Sequence, residues 1–274
     1  MSGPDLGFGV NTYPYTQSCR AADAVRRLAG AGFRRFELML IPGHLWVTDD
    51  AATLRETRRA LDEQALDLVT LNTANLDLNL AAAAEEVRAL SLDLCRGFVR
   101  IAGELGARAF VLGPGKPNPL FPLPFATMEG HFFRALDVLL PLAERAGIEF
   151  WVENMPFAFM PRAGELIASL DRHGSDQLKV CYDVANAHFI GEDPVEGLRI
   201  VEPRLALVHL SDTTRAAYRH DPVGKGDIDF ARLAGAVARA CPDRPPVLEI
   251  IADDPDRVLP DSARALLDLG FCRN

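Results

Sequence analysis

The chain has 274 residues, 49% of them hydrophobic, and a mean hydropathy of +0.04, enough to bury a substantial core of one or two domains. A formal net charge of −9 and a pI near 5.2 argue against a general nucleic-acid binder, whose phosphate contacts need Lys and Arg gathered on one face. No apolar run reaches about 18 residues and no charged-then-apolar leader opens the chain, so neither a membrane span nor a secretory signal is expected, and a cytoplasmic enzyme is the default.

Short runs of Val, Ile, Leu and Phe alternate with longer stretches of Ala, Leu, Arg and Glu, the pattern of parallel strands covered by helices. In chain order, strands are expected at 6–12, 33–39, 67–73, 108–114, 148–154, 178–184, 205–211 and 246–252. Helices fill the intervals, most clearly over 82–106 and 129–146, where apolar residues recur three and four apart. Gly32 and Gly147 stand where a helix must turn tightly into the second and the fifth strand. The segment PGKPNPLFPLPF (114–125), after the fourth strand, is a candidate substrate lid. No linker rich in Pro, Gly or Ser divides the chain, which predicts one domain over 1–274. The five cysteines (Cys19, Cys95, Cys181, Cys241, Cys272) contain no C-x-x-C pair and are expected as free thiols.

Acid or imidazole side chains end four of these runs: Glu153 in IEFWVENMP, Asp183 in LKVCYDVANAH, His209 in LALVHLSD and Glu249 in PVLEIIADDP. Their separations are close to one strand–helix unit. A carboxylate at a buried strand end is costly unless it is paired or bound to a cation. Ordinary capping explains one such residue as well as a metal does, but four at this spacing are better explained together, as ligands of one ion. A doubly wound open sheet shares the β–α alternation. Polar residues, however, end strands two, three, five, six, seven and eight, a ring that a closed barrel focuses on one point. The predicted fold is therefore α/β, a single (β/α)8 TIM barrel. Three carboxylates and one imidazole make a hard, oxygen-rich donor set that favours one divalent metal, Mn²⁺ first, with Mg²⁺, Co²⁺ or Zn²⁺ compatible.

Four further motifs, VENMP (152–156), YDVANAHFIGEDP (182–194), HLSDTTR (209–215) and RHDPVGKGDIDF (219–230), occur in order along the chain. Through them it resembles the xylose isomerase-like TIM-barrel superfamily, in particular the sugar phosphate isomerase/epimerase group that includes ketose 3-epimerases, hydroxypyruvate isomerase and inosose enzymes. The resemblance implies that Glu153, Asp183, His209 and Glu249 are the metal ligands, and that Glu153 and Glu249 also serve as the catalytic acid and base around an enediolate. It implies that Arg215, six residues after the metal His, contacts substrate. Three residues after the aspartate the 3-epimerases usually carry a substrate-contacting His; here Asn186 stands there, positioned to hydrogen-bond a hydroxyl, and His188 is a candidate to supply the imidazole. His220, in the loop after strand seven, is a further substrate-contact candidate. Glu37, Asn72 and Asn75, with His44 and Trp46, are specificity candidates as polar or aromatic residues near strand ends.

The expected activity is a divalent-metal-dependent isomerase or epimerase of a small polyhydroxylated ketone or aldehyde. A dehydratase of the inosose or 3-dehydroshikimate type shares the first step and is the alternative, and an abasic-site endonuclease is disfavoured by the acidic charge and by the missing ligands of a trinuclear site. GKG (224–226) and GPGK (113–116) lack the spacing of a phosphate loop and read as turns. Only Lys116 and Lys225 are candidates for a phosphate, so an unphosphorylated, sugar-like small molecule is the expected partner, with neither nucleic acid nor membrane. The resemblance further implies a homo-oligomer.

Overall fold

A computed structural model describes residues 4–73, 77–241 and 244–272. Eight parallel strands close into a barrel: β1 (Gly9–Asn11), β2 (Arg35–Leu40), β3 (Asp67–Thr73), β4 (Ala109–Leu112), β5 (Glu149–Glu153), β6 (Leu178–Asp183), β7 (Leu205–Leu210) and β10 (Val247–Leu248), the last pairing with both β7 and β1. Each expected strand is present: β2 runs one residue past its predicted window, β3 fills its window, and the other six are trimmed where pairing stops and the chain peels away to its helix. β10 is the shortest, and Glu249 follows it directly, tied by its N–H to Leu210 O at 3.1 Å.

The helices α1 (Ala21–Ala31), α2 (Ala51–Asp62), α3 (Glu85–Leu105), α4 (Phe125–Ala146), α5 (Ala163–His173), α6 (Val184–Phe189), α7 (Pro194–Val201), α8 (Phe230–Ala240) and α9 (Pro255–Asp268) surround the barrel. α4 begins one turn earlier than expected, directly after Pro124, which has no N–H to lose at a helix start. Gly32 closes α1 at φ +110°, and a Cβ there would stand 2.6 Å from Pro4 O, so both backbone angle and space require glycine. Among the described residues no helix is long and apolar enough to cross a membrane. All five cysteines are free.

Strand alternation sorts the core into two layers. The main cluster packs the outward faces of the strands, including Phe36, Phe110 and Phe150, against the helices. A smaller cluster of Val111, Trp151, Cys181 and Leu207 has the inward parity of the ligand positions. It fills the barrel beneath them, so the polar ends rest on an apolar plug, as in packed barrels generally.

One element was not foreseen. Between β7 and α8 an antiparallel hairpin, β8 (Asp212–Thr214) and β9 (Ala217–Asp221), rises over the barrel mouth. The loop from Pro222 that follows it is fastened by Asp212. This buried carboxylate accepts from the N–H groups of Thr213 (2.9 Å), Gly224 (2.8 Å) and Ile228 (3.3 Å). A Cβ at Gly226 would fall 2.1 Å from Thr213 O, so the GKG run is a tight structural turn. The Pro-rich segment is held at its base, where Asn79 bonds the backbone of Lys116. Its tip leaves Leu120 and Phe121 almost fully exposed and does not line the cavity at the barrel mouth, contrary to the lid expected there.

Candidate metal centre and its cavity

The four strand-end residues meet. Glu153 is the last residue of β5, Asp183 the last of β6, His209 the penultimate residue of β7, and Glu249 follows β10. The register places Asp183 beside His209 and His209 beside Val247. Each offers one ligand atom, and these atoms lie within 4.8 Å of one another. His209 Nδ1 stands 3.1 Å from Glu153 Oε1, 3.1 Å from Glu249 Oε2 and 3.9 Å from Asp183 Oδ2. All four residues are buried.

Asp183 Oδ2 is buried without a hydrogen-bond partner, while Oδ1 accepts from Asn186 N at 2.6 Å as the cap of α6. Leaving an ionised oxygen bare in the interior is costly. A divalent cation satisfies that oxygen and neutralises the crowded carboxylates together, so the residues present fit such an ion. Cys181 also reaches Glu153 and His209, and burial pushes its thiol well above its ordinary range.

The electrostatics follow from burial and crowding. Burial, the charge of Glu249 and that of Asp183 push Glu153 up to about 7, although His209 acts against them. Burial likewise raises Asp183 to about 6, with His220 opposing. For Glu249 burial also raises the pKa, but His209 and His220 outweigh it and the net direction is down. Burial lowers His209, yet the surrounding Cys181, Glu37 and Glu249 carry it well above its ordinary value. His220 behaves in the same way between Asp183 and Glu249.

Glu37 does not line the cavity. β2 continues three residues beyond it to Leu40, so its carboxylate lies inside the barrel, wholly buried, one layer below the cavity. There it faces His209 Nε2 at 3.1 Å and accepts from Asn11, Thr70 and Asn72. This carboxylate–imidazole pair fixes the ring's orientation, with Nδ1 toward Glu153, Asp183 and Glu249.

Above the ligands is a cavity of about 210 Å³ whose lining includes Glu153 and Glu249 on the floor and Tyr13, Asn72, Asn186, Tyr218, Arg219, His220 and Ile251 on the walls. Three substrate-contact expectations therefore coincide with the cavity: Asn72, Asn186 and His220. Asn72 Nδ2 lies 3.5 Å from Glu249 Oε1. Asn186 Oδ1 is buried with no partner, an acceptor directed at the site. His220 Nδ1 lies 3.5 Å from Glu249 Oε2 and 3.1 Å from Ser211 Oγ.

Two expected contacts lie away from the cavity. Arg215 sits exposed on the tip of the hairpin, where the chain reverses, and does not line the cavity. His188 turns toward the loop after the hairpin, with Nε2 2.6 Å from Asp227 Oδ1, and is a structural tie. His44 is buried against Thr12 and the Cys19 carbonyl, and Trp46 packs on Phe98. Asn75 lies outside the described residues. Lys116 borders a separate small cavity, and Lys225 is exposed.

The cavity residues absent from the sequence reading are Tyr13, Thr73, Met155, Tyr218, Arg219 and Ile251. Tyr218 heads an aromatic wall, with ring centroids 5.3 Å from both Phe157 and Phe189 and 5.4 Å from His220. Tyr13 is raised by burial and by the Glu249 charge, so its phenol stays a donor. Arg219 and His220 are adjacent in RHDPVG. That motif marked the segment, but only the hairpin decides that Arg219 rather than Arg215 reaches the cavity.

The sequence profile of the xylose isomerase-like TIM barrel matches residues 25–269. An uncharacterised protein of Methanocaldococcus jannaschii is 28% identical over 172 residues, a match that spans 61% of this chain and 65% of that protein's length. A second from the same organism is 25% identical over 237 residues, 84% of this chain and 78% of that protein. Among solved structures, a D-tagatose 3-epimerase-like protein superposes with a TM-score of 0.82 at 20% identity, covering 96% of this chain and 97% of that one. L-ribulose 3-epimerase gives 0.80 at 17% identity, with 96% and 93% covered. 3-Keto-D-glucoside 4-epimerase from E. coli gives 0.78 at 18% identity, with 96% and 99% covered. At these identities the structural likeness establishes the shared barrel. With the profile spanning all but the two ends, the chain belongs to the xylose isomerase-like TIM-barrel family.

Proposed function

We propose that the protein is a divalent-metal-dependent isomerase or epimerase of a small polyhydroxylated ketone or aldehyde. The observation that carries this reading is the gathering of Glu153, Asp183, His209 and Glu249, ligand atoms within 4.8 Å of one another, beneath a cavity walled by hydrogen-bonding side chains. Those four residues would hold the cation, Mn²⁺ by the hardness of the donors, with Mg²⁺, Co²⁺ and Zn²⁺ as alternatives. When bound, the ion supplies Lewis-acid polarisation of a carbonyl and its neighbouring hydroxyl, which acidifies the C–H of the hydroxyl-bearing carbon.

Glu249 and Glu153, which both line the cavity, divide the proton transfers. One takes the proton from carbon as general base. The other returns one, to the opposite face in an epimerisation or to the neighbouring carbon in an isomerisation. Asn186 Oδ1 accepts from a substrate hydroxyl. Arg219 takes the role expected of Arg215, stabilising negative charge on a substrate oxygen. The sugar epimerases that share this barrel support a sugar-like substrate.

Solvent exchange tests the reading. Metal-loaded protein is incubated with ketoses, inososes and hydroxypyruvate in D₂O and each compound is followed by NMR. Deuterium entering one carbon together with a new isomer is the expected result. Loss of water with a new enone absorbance would move the protein to the dehydratases, and absence of exchange throughout the panel would overturn the isomerase reading for those compounds.

A further inference from the structure

The metal-site cavity opens onto a second and larger one. The inner space is about 210 Å³ and the outer about 780 Å³, and Tyr13, Arg219 and Ile251 line both. Small-molecule sites usually occupy about 300–1,000 Å³. The inner space alone is undersized, and it suits the reacting end of a molecule better than a whole one.

The outer cavity is neither a generic apolar groove nor an anion site. Its walls carry Asp221, Asp253, Asp254 and Asp256 against only Arg27 and Arg219. Arg27 faces Asp256 at 4.0 Å, and Asp254 pairs with Arg257 at 3.0 Å. Asp221 and Asp253 form no ion pair among the described residues, so the field there is negative and a phosphate or carboxylate would be repelled. At the junction between the cavities stand the ring of Tyr13 and the side chain of Ile251, 43% exposed. Apolar surface flanked by carboxylate acceptors and a guanidinium donor is complementary to a sugar ring, which has a C–H face and a rim of hydroxyls.

We propose that the outer cavity is a subsite for a second, uncharged sugar unit, so that the preferred substrate is a glycosylated ketose with its keto unit over the metal ligands. This rests on the isomerase or epimerase reading of the inner site. Arg219, at the junction and in no ion pair among the described residues, holds the oxygens near the link between the two units.

The test compares metal-loaded protein on D-fructose and on two glucosyl-fructoses, linked through O6 and through O4, which leave the carbonyl and the C3 hydroxyl free. Deuterium exchange from D₂O is expected at a kcat/KM at least tenfold higher for one of the glucosyl-fructoses than for fructose. Asp253→Ala, on an exposed side chain outside the inner cavity, is expected to bring that ratio toward one. Saturation-transfer NMR gives a reading independent of turnover, with protons of the glucosyl unit receiving saturation from the protein. Exchange into fructose at equal or greater efficiency, with no saturation of the glucosyl protons, would overturn the subsite and leave the isomerase reading standing. Exchange into none of the three, with no saturation of the glucosyl protons, would likewise overturn the subsite, while exchange into any member of the wider panel of ketoses, inososes and hydroxypyruvate would keep the isomerase reading.

Discussion

His209 has different company at its two ring nitrogens. Nδ1 faces the three carboxylates that complete the metal set, and Nε2 faces Glu37, itself held by Asn11, Thr70 and Asn72. Glu37→Gln keeps the shape but loses the anionic acceptor that raises the basicity of the imidazole. Metal affinity, titrated by calorimetry, is expected to fall by about 10–100-fold, while the untouched ligands still bind one ion. The same residues set the pH dependence. Glu153 and Asp183 have pKa values of about 7 and about 6, above their ordinary 4.5 and 3.8, and His209 is also raised, so each must release a proton to bind metal. Metal affinity should therefore rise as pH increases through 6 and 7. In the metal-free protein these groups bind more protons folded than unfolded over that range, so its stability should move oppositely and decline as pH rises; Glu249, lowered, contributes the opposite slope only below its ordinary value of 4.5. Affinity that stays flat between pH 5 and 8 would contradict the coupling.

The hairpin β8–β9 and its loop bring His220, Tyr218 and Arg219 to the cavity, and they depend on a single close approach. At Gly226 a Cβ would enter the space of Thr213 O and of Asp212 Oδ1, at 2.1 and 2.3 Å. Gly226→Ala must push the loop away and strand the N–H groups that Asp212 receives, each such lost bond to a charged group costing about 1.5–3 kcal/mol. The expected outcome is a lower midpoint of unfolding, together with weakened binding of any cavity ligand. Circular dichroism in denaturant and ligand titration of the same sample check the two effects, and an unchanged midpoint would show that the loop yields freely. Neither strand of this hairpin carries the apolar run that marked the barrel strands, since β9 reads AYRHD and is only partly buried, so periodicity could not reveal it. The positions of His188 and Arg215 away from the cavity have the same origin: both depend on where that hairpin turns.

Across the whole molecule, the proposed metal site joins four strands drawn from the second half of the chain, and Glu249, after β10, sits beside the closure with β1. Binding there would stabilise the closed barrel by about 2.7 kcal/mol when free metal is 100 times its dissociation constant. Removing metal with a chelator should lower the thermal midpoint, and restoring Mn²⁺ should recover it. A midpoint indifferent to both would argue against a resident ion. The sequence by itself determined the eight strand windows, their order and the four residues at their ends, because strand period and strand-end chemistry are local properties of a few adjacent residues. It also marked Asn72, Asn186 and His220, which end or follow those same strands. Only the tertiary structure decided that Glu37 lies a layer below the cavity, that Arg219 and not Arg215 lines it, and that a second cavity adjoins it. Those facts follow from how far each strand runs, where the hairpin reverses and how loops from opposite ends of the chain meet, contacts between distant residues that no local pattern encodes.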